Sequence, residues 1–392
     1  MKKVLVPSVR FKGFDDNWEQ GNIGEVFELT RGEVLSQRKI RNKKMGEYIY
    51  PVFSSQTLNN GLLGFYNNFL FKNSITWTTD GANAGTVLYR DGLFYATNVC
   101  GVMLQKTSIK PSSYFAHEIN VKVKKHVIKA GNPKLMINVL HEVLINFSKN
   151  KLEQEKISIL IENIDNLITL EEIKHNKLKQ LKETLLQKMF PEPNSKTPKI
   201  RFKGFNEEWS EERFGDTIEP YRIKNYNNEK LQSYSISNKF GFVNQKEFFE
   251  NGGKAIRANK SNSLVVFPNS FAYNPARIDV GSIGLYKKEE NCLVSPIYEV
   301  FKTDRKMNDE FLFNWFKIDK FKWIVNKSKE GSVRNTVYLK NISDYLINFP
   351  SYSEQQKIGD FFCKIDTLIN LYNSKLNKLR QIKEALLQKM FV

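Results

Sequence analysis

The sequence has few of the residues that build metal, disulfide or membrane sites. Its three cysteines, Cys100, Cys292 and Cys363, lie far apart without a CxxC spacing, and its four histidines are equally scattered. Such a distribution gives no metal-ligand cluster or disulfide framework and fits a reducing cytoplasm. No apolar run reaches 18 residues, and the stretch 1–6 meets Pro7 before an apolar core builds up. Neither secretion nor membrane insertion is therefore expected.

Motifs for catalysis are missing as well. No GxxxxGK[ST] sequence occurs, since NGGKAIR at 251–257 lacks the first glycine of that phosphate-binding loop. AYNPAR at 272–277 has Ala276 where an amino-methyltransferase motif has its second proline, and GANAG at 81–85 is spaced as turn glycines rather than as a dinucleotide site. The dispersed histidines cannot be assigned as general bases. A non-catalytic protein without a cofactor of its own is expected.

What the chain does have is positive charge, with a formal net charge of +18. Counting Lys and Arg against Asp and Glu gives +9 for residues 1–150, zero for 151–190, +6 for 191–352 and +3 for 353–392. A basic balance of this size attracts polyanions such as nucleic acid. The excess lies mainly outside the two stretches that end in LLQKMF.

The chain also repeats itself, which favours two domains over one long core. Three blocks recur in the same order: PSVRFKGFDDNW (7–18) as PKIRFKGFNEEW (198–209), EQEKISILIENIDNLI (153–168) as EQQKIGDFFCKIDTLI (354–369), and KETLLQKMF (182–190) as KEALLQKMF (383–391). Each half therefore consists of an opening segment around RFKGF, a variable segment and a closing stretch.

The closing stretches predict two long helices, each with an apolar seam of coiled-coil type. In the second stretch the seam comprises Ile358, Phe362, Ile365, Ile369, Tyr372, Leu376, Leu379, Leu386 and Met390. In the first it comprises Ile157, Ile161, Ile164 and Ile168, is interrupted by Glu171 and His175, and resumes at Leu178, Leu185 and Met189. Each helix can run roughly 55 Å. The two seams are expected to pack on each other; the alternative is that each helix packs on its own domain.

Between the repeats, short β-branched and aromatic runs cut by Gly, Asn and Pro predict strands. The predicted fold is α+β, with two mixed α/β domains joined by two long antiparallel helices that form a coiled coil with a pseudo-two-fold internal repeat. The first domain is expected at 1–150 and its helix at 151–190. PEPNSKTP begins a linker plus second domain at 191–352, and the second helix follows at 353–392.

Several polar and basic loops in these domains have the side chains that bind phosphates and read base edges. RKIRNKK (38–44), SSQTLNN (54–60) and TWTTDGAN (76–83) belong to the first half, and YRIKNYNN (221–228), KAIRANK (254–260) and NPARIDVGS (274–282) to the second. The expected DNA contacts are Arg38, Lys39, Arg41, Asn42, Lys43, Ser55, Gln56, Thr79, Asn83, Arg222, Lys224, Asn225, Arg257, Lys260, Asn274 and Arg277. The alternative for each is a solvated charged loop or an ordinary polar turn.

Taken together, these blocks resemble the specificity subunit of type I restriction-modification systems. RFKGF…W opens each half, EQxKI begins each helix, LLQKMF closes each helix, and NPARI…GSIG…VSPIY is similar to one of that family's target-recognition domains. The resemblance spans the whole chain. One departure is that Arg334 has only Lys134 as its nearest counterpart in the first half.

The resemblance implies a non-catalytic subunit that binds double-stranded DNA, with each recognition domain reading one half of a split target. The helices would set the unread spacer and dock methyltransferase subunits, two of them, whose adenine methylation needs S-adenosylmethionine. Restriction subunits that use ATP and Mg²⁺ would join for cleavage.

Three other functions stay open at this point. A stand-alone DNA-binding regulator needs no methyltransferase partner, so purification alone or in a complex separates it from a specificity subunit. A coiled-coil scaffold does not need the positive charge of the two variable segments. A nuclease needs a carboxylate cluster, for which Asp279 with Glu289 and Glu290 is the loose candidate, and a metal titration tests it.

Overall fold

The computed structural model describes residues 5–55, 58–193, 195–249, 260–329 and 336–391. Gln56, Arg257 and Arg334 therefore lie outside the described residues. Within those ranges, none of the helices combines the length and the apolarity that crossing a lipid bilayer requires.

The first half of the chain forms eight strands and four helices within the described residues. The strands are β1 (Glu19–Asn22), β2 (Phe27–Arg31), β3 (Tyr50–Phe53), β4 (Leu62–Tyr66), β5 (Phe71–Thr78), β6 (Val87–Ala96), β7 (Cys100–Gln105) and β8 (Leu144–Phe147). The helices are α1 (Ile23–Val26), α2 (Ser113–Val123), α3 (Ile137–His141) and α4 (Lys151–Lys188).

The second half follows the same plan over its described residues. Its strands are β9 (Ser210–Arg213), β10 (Ile218–Pro220), β11 (Gln232–Ser237), β12 (Gly241–Asn244), β13 (Leu264–Val266), β14 (Ser270–Tyr273), β15 (Ile283–Tyr286), β16 (Cys292–Val294), β17 (Glu299–Thr303) and β18 (Leu346–Phe349). Its helices are α5 (Gln245–Phe248), α6 (Asp309–Trp315), α7 (Asp319–Lys329), α8 (Leu339–Ile342) and α9 (Tyr352–Met390).

By packing, the chain divides into two units that do not coincide with its two halves. Unit 1 contains Met1–Glu172 and Lys375–Val392, and unit 2 contains Ile173–Ser374. Each long helix therefore gives one part to unit 1 and the other part to unit 2.

In unit 1 the main sheet has six strands in the order β2-β7-β5-β6-β3-β4. Neighbouring strands are antiparallel except β3 and β6, which run parallel with Val52 beside Tyr95. The β5–β6 ladder shifts register between Lys72 and Ser74, so this long pair is bent. One face of the sheet is covered by α2, where Phe115 lies 5.3 Å from the Phe27 ring.

In unit 2 the same strand order is divided between two four-stranded sheets, β10-β17-β14-β15 and β12-β11-β16-β13. The parallel pair recurs, with β11 beside β16. Two strands of unit 1 each correspond to a pair of shorter strands in unit 2: β5 corresponds to β13 plus β14, and β6 corresponds to β15 plus β16. With this correspondence the two units have the same strand order. The break between β13 and β14 lies at the position where β5 of unit 1 has its register shift. The prediction of mixed α/β domains is confirmed.

Both repeats begin with the same small sheet and the same ion pair. Strand β1 pairs with β8, and β9 pairs with β18, both antiparallel. The Arg10 guanidinium donates two hydrogen bonds to Glu153 at 2.6 and 2.9 Å, and Arg201 donates two to Glu354 at 2.7 and 2.8 Å. Both glutamates are 0% exposed. This two-point contact fixes each opening segment on the first turn of its helix.

The ends of the helices are exchanged between the repeats. In unit 1, the Lys389 carbonyl at the end of α9 accepts a hydrogen bond from the Val9 amide at 2.9 Å. In unit 2, the Lys188 carbonyl at the end of α4 accepts the equivalent bond from the Ile200 amide, also at 2.9 Å. Each opening segment is therefore closed by the LLQKMF end of the other half's helix.

Inside each unit the two helix segments run antiparallel and their seams are buried. In unit 1, Glu171 pairs with Lys375 at 2.9 Å and Glu172 with Arg380 at 2.6 Å, and Asp165 bonds Lys383. In unit 2 the equivalent of that last pair joins Lys182 to Asp366. The predicted seam residues of both helices are buried or half-buried. The two antiparallel helices of the predicted coiled coil are confirmed.

At the two positions where the α4 seam has polar instead of apolar residues, the polar side chains are buried in the same way. Glu171 is 2% exposed and His175 is 8% exposed, so both continue the buried face of the helix. Burial, with the nearby charge of Lys179, lowers the pKa of His175. Both effects favour the uncharged form of the histidine.

Glu118 in α2 should make unit 1 less stable as the pH rises. Burial raises the pKa of this fully buried carboxyl to about 7, against opposing contributions from the Asn146 amide and Lys122. A raised folded-state pKa gives stability that is complete below the unfolded-state pKa and is lost as the pH rises through 7. Between pH 5 and pH 8 the unfolding free energy of the wild type should fall by about 2–3 kcal/mol more than that of Glu118→Gln.

The measurement is the unfolding free energy of wild type and Glu118→Gln in denaturant at both pH values. Glu28→Gln, which removes an exposed carboxylate from β2, controls for the change in net charge. An equal difference between wild type and Glu118→Gln at pH 5 and pH 8 contradicts the assignment.

Candidate nucleic-acid interface

The basic loop 38–44 is anchored to strand β4 by its backbone. Arg41 exchanges two backbone hydrogen bonds with Phe65, at 2.9 and 2.8 Å. Gly64 permits this approach, because a Cβ atom there would lie 2.6 Å from the Arg41 carbonyl oxygen. The polar side chains of the loop are exposed: Arg38, Lys39, Arg41, Asn42 and Lys43. The Arg41 guanidinium also donates to the Arg38 carbonyl at 3.3 Å and lies 5.0 Å from the centre of the Tyr48 ring. The loop therefore presents a cluster of exposed cations to a polyanion.

The two other predicted segments of the first domain meet the short connection between β6 and β7. The Thr97 hydroxyl donates to the Ser54 hydroxyl at 3.1 Å, next to the half-buried Ser55. Thr79 is 1% exposed, and its hydroxyl lies 3.0 Å from the Val99 carbonyl and 2.6 Å from the Asp80 carboxylate. Asn83 is half-buried in the turn between β5 and β6. Thr79 therefore braces this part of the domain from inside.

Arg90 of β6 also ties these segments together, and the sequence pattern did not single it out. Its Nε donates to the Thr76 hydroxyl at 2.9 Å, and its Nη2 donates to the Asn60 carbonyl at 2.8 Å. Its guanidinium carbon lies 3.7 Å from the centre of the Phe53 ring. An arginine next to an aspartate in YRDG carries no motif, and nothing in the sequence distinguishes it from a solvent-exposed charge at a bend in the strand.

In the second domain the segment before β11 has a similar character, but its side chains are more involved in internal bonds. Arg222 donates to the carbonyls of Tyr298 at 3.1 Å and Pro296 at 2.6 Å. Asn225 is 2% exposed and bonds both backbone groups of Glu229, which closes a turn.

Lys224 and Lys260 of this domain are half-buried. Lys224 is held by Asn262, whose side-chain oxygen lies 3.4 Å from the lysine Nζ. The Lys224 Nζ also lies 5.7 Å from the exposed ring of Tyr226.

The loop 274–282 joins β14 to β15. Asn274 accepts a hydrogen bond from the Ala276 amide at 3.1 Å, a local turn that leaves Arg277 exposed. Ser282 donates to the Ile236 carbonyl at 2.8 Å and so fixes the loop beside β11.

The strand order places the predicted loops of the two domains at equivalent positions. The loop 38–44 precedes β3, and 221–231 precedes the equivalent strand β11. The turn that contains Asn83 joins β5 to β6, and 274–282 joins the equivalent strands β14 and β15. The two domains therefore present different residues from the same two places in one fold.

The alternative carboxylate cluster is not assembled as a metal site in the part of the chain that the structure describes. Asp279 instead accepts a hydrogen bond from Lys329 at 2.5 Å. Burial acts to raise the pKa of Asp279, but the bond and charge of Lys329 outweigh it and lower the pKa. Across the described ranges, no group of three or more His, Cys, Asp or Glu side chains is arranged to hold a metal ion.

Comparison with known proteins places this double architecture in one class. Two stretches of the chain, 15–180 and 200–381, match the family described as the type I restriction modification DNA specificity domain. The chain belongs to this family, and it contains the domain twice. The family is that of the type I specificity subunit, a DNA-recognition subunit without catalytic function. Membership implies DNA and the other subunits of a restriction-modification complex as partners.

Individual relatives agree with the family. A protein of Mycoplasma pneumoniae named as the N-terminus of a type I specificity subunit is 39% identical over 142 residues, which are 36% of this chain and 74% of the relative. A second protein of that organism, also named as a type I specificity subunit, is 27% identical over 351 residues, or 86% of each chain. The crystal structure of a type I S subunit from M. genitalium has the same fold, with a TM-score of 0.60, 16% identity and 99% of both chains covered.

The cations of loop 38–44 should contact phosphate rather than bases. A run of exposed basic side chains supplies an electrostatic field and no base code. Replacing Lys39, Arg41 or Lys43 singly by Gln should weaken binding to all DNA sequences alike. The slope of log affinity against log salt should become less steep by about one unit for each replacement.

The measurement is a salt titration of DNA affinity on specific and unrelated duplexes. Lys125→Gln removes an exposed cation from the turn after α2, away from the predicted loops in the sequence, and serves as the matched control. A loss of affinity confined to the specific duplex contradicts the phosphate assignment.

Proposed function

We propose that this chain reads a bipartite DNA target, with one half-site bound by each recognition domain. The domains are assigned to 1–150 and, with the linker, to 191–352, and the helices to 151–190 and 353–392. The equivalent positions of the polar loops in the two domains carry the proposal. Two readers built on one strand order, with different residues in their loops, suit two different half-sites.

Within these loops the exposed and half-buried residues are the proposed DNA contacts. They are Arg38, Lys39, Arg41, Asn42, Lys43, Ser55 and Asn83 in the first domain, and Arg222, Lys224, Lys260, Asn274 and Arg277 in the second. Gln56 and Arg257 are proposed from the sequence alone. Thr79 and Asn225 are buried and internally bonded. We assign these two a supporting role beneath the contact surface.

The helices are proposed to dock two methyltransferase subunits. Exposed apolar residues recur on both helices at an offset of 201: Leu167 and Leu170 on α4 in unit 1, and Leu368 and Leu371 on α9 in unit 2. Each is 45–61% exposed, although leucine and isoleucine are usually buried. A surface present in two equal copies suits two copies of one partner.

The cofactors of the complex are proposed to belong to partner subunits. S-adenosylmethionine would be held by the methyltransferase subunits, and ATP with Mg²⁺ by restriction subunits that join the complex for cleavage. This chain would supply neither the methyl donor site nor the hydrolytic site. Its role would be to decide where on the DNA the others act.

Each apolar surface should control one methyltransferase subunit. Introducing Asp at Leu167 and Leu170 should remove one copy from the complex, and Asp at Leu368 and Leu371 should remove the other. An unpaired carboxylate buried in an apolar contact costs several kcal/mol, far more than a leucine contact contributes. Native mass spectrometry of the co-expressed complex should show one partner lost in each double variant and both lost in the combination.

The control is the pair Asn176→Asp and Gln180→Asp, which places two carboxylates on exposed sites of α4 outside the apolar pair. A combined variant that keeps both methyltransferase subunits contradicts this docking surface. A wild-type chain that never forms the complex with its methyltransferase favours the stand-alone regulator.

Lengthening the helices should lengthen the unread spacer. Inserting TLEE after Glu172 adds about 6 Å to α4 at 1.5 Å per residue, close to two base pairs of DNA. Four residues overshoot one turn by only about 40°, so the seam is largely kept. Single-molecule methylation maps should show the wild-type motif as two defined blocks around a fixed gap, and the variant motif with the same blocks and one or two more base pairs between them.

A second variant with a matching four-residue insertion after Asn373, the equivalent position in α9, tests the same change with both helices lengthened. A continuous wild-type motif overturns the bipartite target. Unchanged spacing in folded, partner-bound variants shows that the helices do not set the spacer.

A further inference from the structure

The loop between β3 and β4 holds two asparagines in an unusual backbone conformation. Asn59 and Asn60 have φ angles of 49° and 52°, and Gly61 follows at 84°. Three successive residues in the left-handed region are uncommon. Glycine adopts this region without strain, whereas each asparagine costs some free energy that the surroundings must offset. Both asparagine side chains are exposed. The loop therefore stores strain to keep two exposed amides in a defined place.

Glycine is required at the end of this run. A Cβ atom on Gly61 would lie 2.7 Å from the Ser54 carbonyl oxygen. The same approach lets the Gly61 carbonyl accept a hydrogen bond from the Ser54 amide at 2.9 Å. The base of the loop is thereby closed on itself.

Arg90 holds the loop from beneath. Its Nη2 bonds the carbonyl of Asn60, in the middle of the left-handed run, at 2.8 Å. Its Nε is bonded to Thr76 of the neighbouring strand, and its guanidinium packs on Phe53 at the end of β3. One rigid group therefore connects the asparagine pair to two strands of the sheet.

The charge of Arg90 is costly where it lies. The three groups it contacts are a hydroxyl, a carbonyl and an aromatic ring, all uncharged. Burial lowers the pKa of Arg90 to about 10, so the group stays charged at neutral pH without an ion pair from these contacts. An apolar side chain would fill this site without that cost. An apolar replacement would lose the planar guanidinium group that fixes Asn60.

Asparagine amides are suited to reading bases, because each offers one donor and one acceptor that match the N6 and N7 edge of adenine. We propose that Asn59 and Asn60 read base edges in the half-site of the first domain, and that Arg90 is the positioning residue that presents them. This inference rests on the proposed function and names the base-reading residues of one recognition domain. The ligand that we assign to this loop is DNA.

The direct test uses Asn59→Ala, Asn60→Ala and the double variant, each in complex with the methyltransferase subunits. Both side chains are exposed, but alanine is less suited than asparagine to a positive φ angle. Asn59→Gly and Asn60→Gly, which remove the amide and keep the left-handed backbone accessible, are therefore measured alongside and should give the same loss of discrimination. Methylation maps should show discrimination reduced about 5- to 150-fold at one or two base positions of one block. The other block and the spacer should stay unchanged.

Arg90→Met tests the positioning role. Lys72→Met, which removes one exposed cation from the adjacent strand β5, serves as the matched control. Arg90→Met should relax the same base positions as the asparagine variants, whereas Lys72→Met should leave the motif intact. Arg90→Lys keeps the charge but lacks the planar guanidinium group, so it should also relax those positions. A purely structural role for Arg90 would lower the melting temperature and total methylation without changing base preference.

The outcomes separate this inference from the proposed function. If the wild-type complex methylates a two-block motif but the double asparagine variant keeps full discrimination, the base-reading assignment is overturned alone. If Arg90→Lys retains full discrimination, charge suffices and the positioning role is overturned. If the wild-type complex methylates no two-block motif, the proposed function is overturned and this inference with it.

Discussion

The core of each unit is closed by the end of the helix that belongs to the other repeat. In unit 1 the Phe391 ring lies 6.2 Å from Trp18, and in unit 2 the Phe190 ring lies 6.0 Å from Trp209. All four side chains are buried. An opening segment can therefore bury its tryptophan only when a second helix end is present. This is the physical reason for two identical LLQKMF sequences, since each must fit the same kind of site.

The exchange has different consequences for the two units. Unit 2 is one continuous stretch, Ile173–Ser374, whereas unit 1 joins Met1–Glu172 to Lys375–Val392. The Phe391 contact with Trp18 spans almost the whole chain, and contacts between distant residues are costly to form early in folding. Unit 1 can complete its core only after the last residues of α9 have been made. The bidentate pair of Arg10 with Glu153 lies within the first repeat and can orient its opening segment before that.

The features that the sequence predicts well are those with a strong period or an exact repeat. The two helices, their seams and the strand-rich domains follow from periodicity that continues over many residues, and Glu171 and His175 show that even the interrupted part of the seam is buried. The antiparallel seams predict in outline that the second helix returns to the first domain. The closing contacts of Phe391 on Trp18 and of Phe190 on Trp209 could not be predicted, because LLQKMF carries no sign of which residues it packs against. Thr79 and Asn225 illustrate a second limit. A polar residue in a polar segment carries no sign of which way it points, and both are buried.

The sequence that is duplicated and the sequence that differs between the halves have different physical roles. Residues that recur in both halves form the ion pairs at the helix starts, the LINF strand of each small two-stranded sheet and the closing contacts at Met390 and Phe391. Residues that differ lie in loops at equivalent places on one strand order. Some of these loops are anchored by backbone bonds, as Arg41 is to Phe65, and others by side chains, as Arg222 is to Tyr298. Backbone anchoring constrains side-chain identity weakly, so loop residues can change without loss of the fold. A chain organised in this way can change its loop residues while keeping the frame that closes its two units.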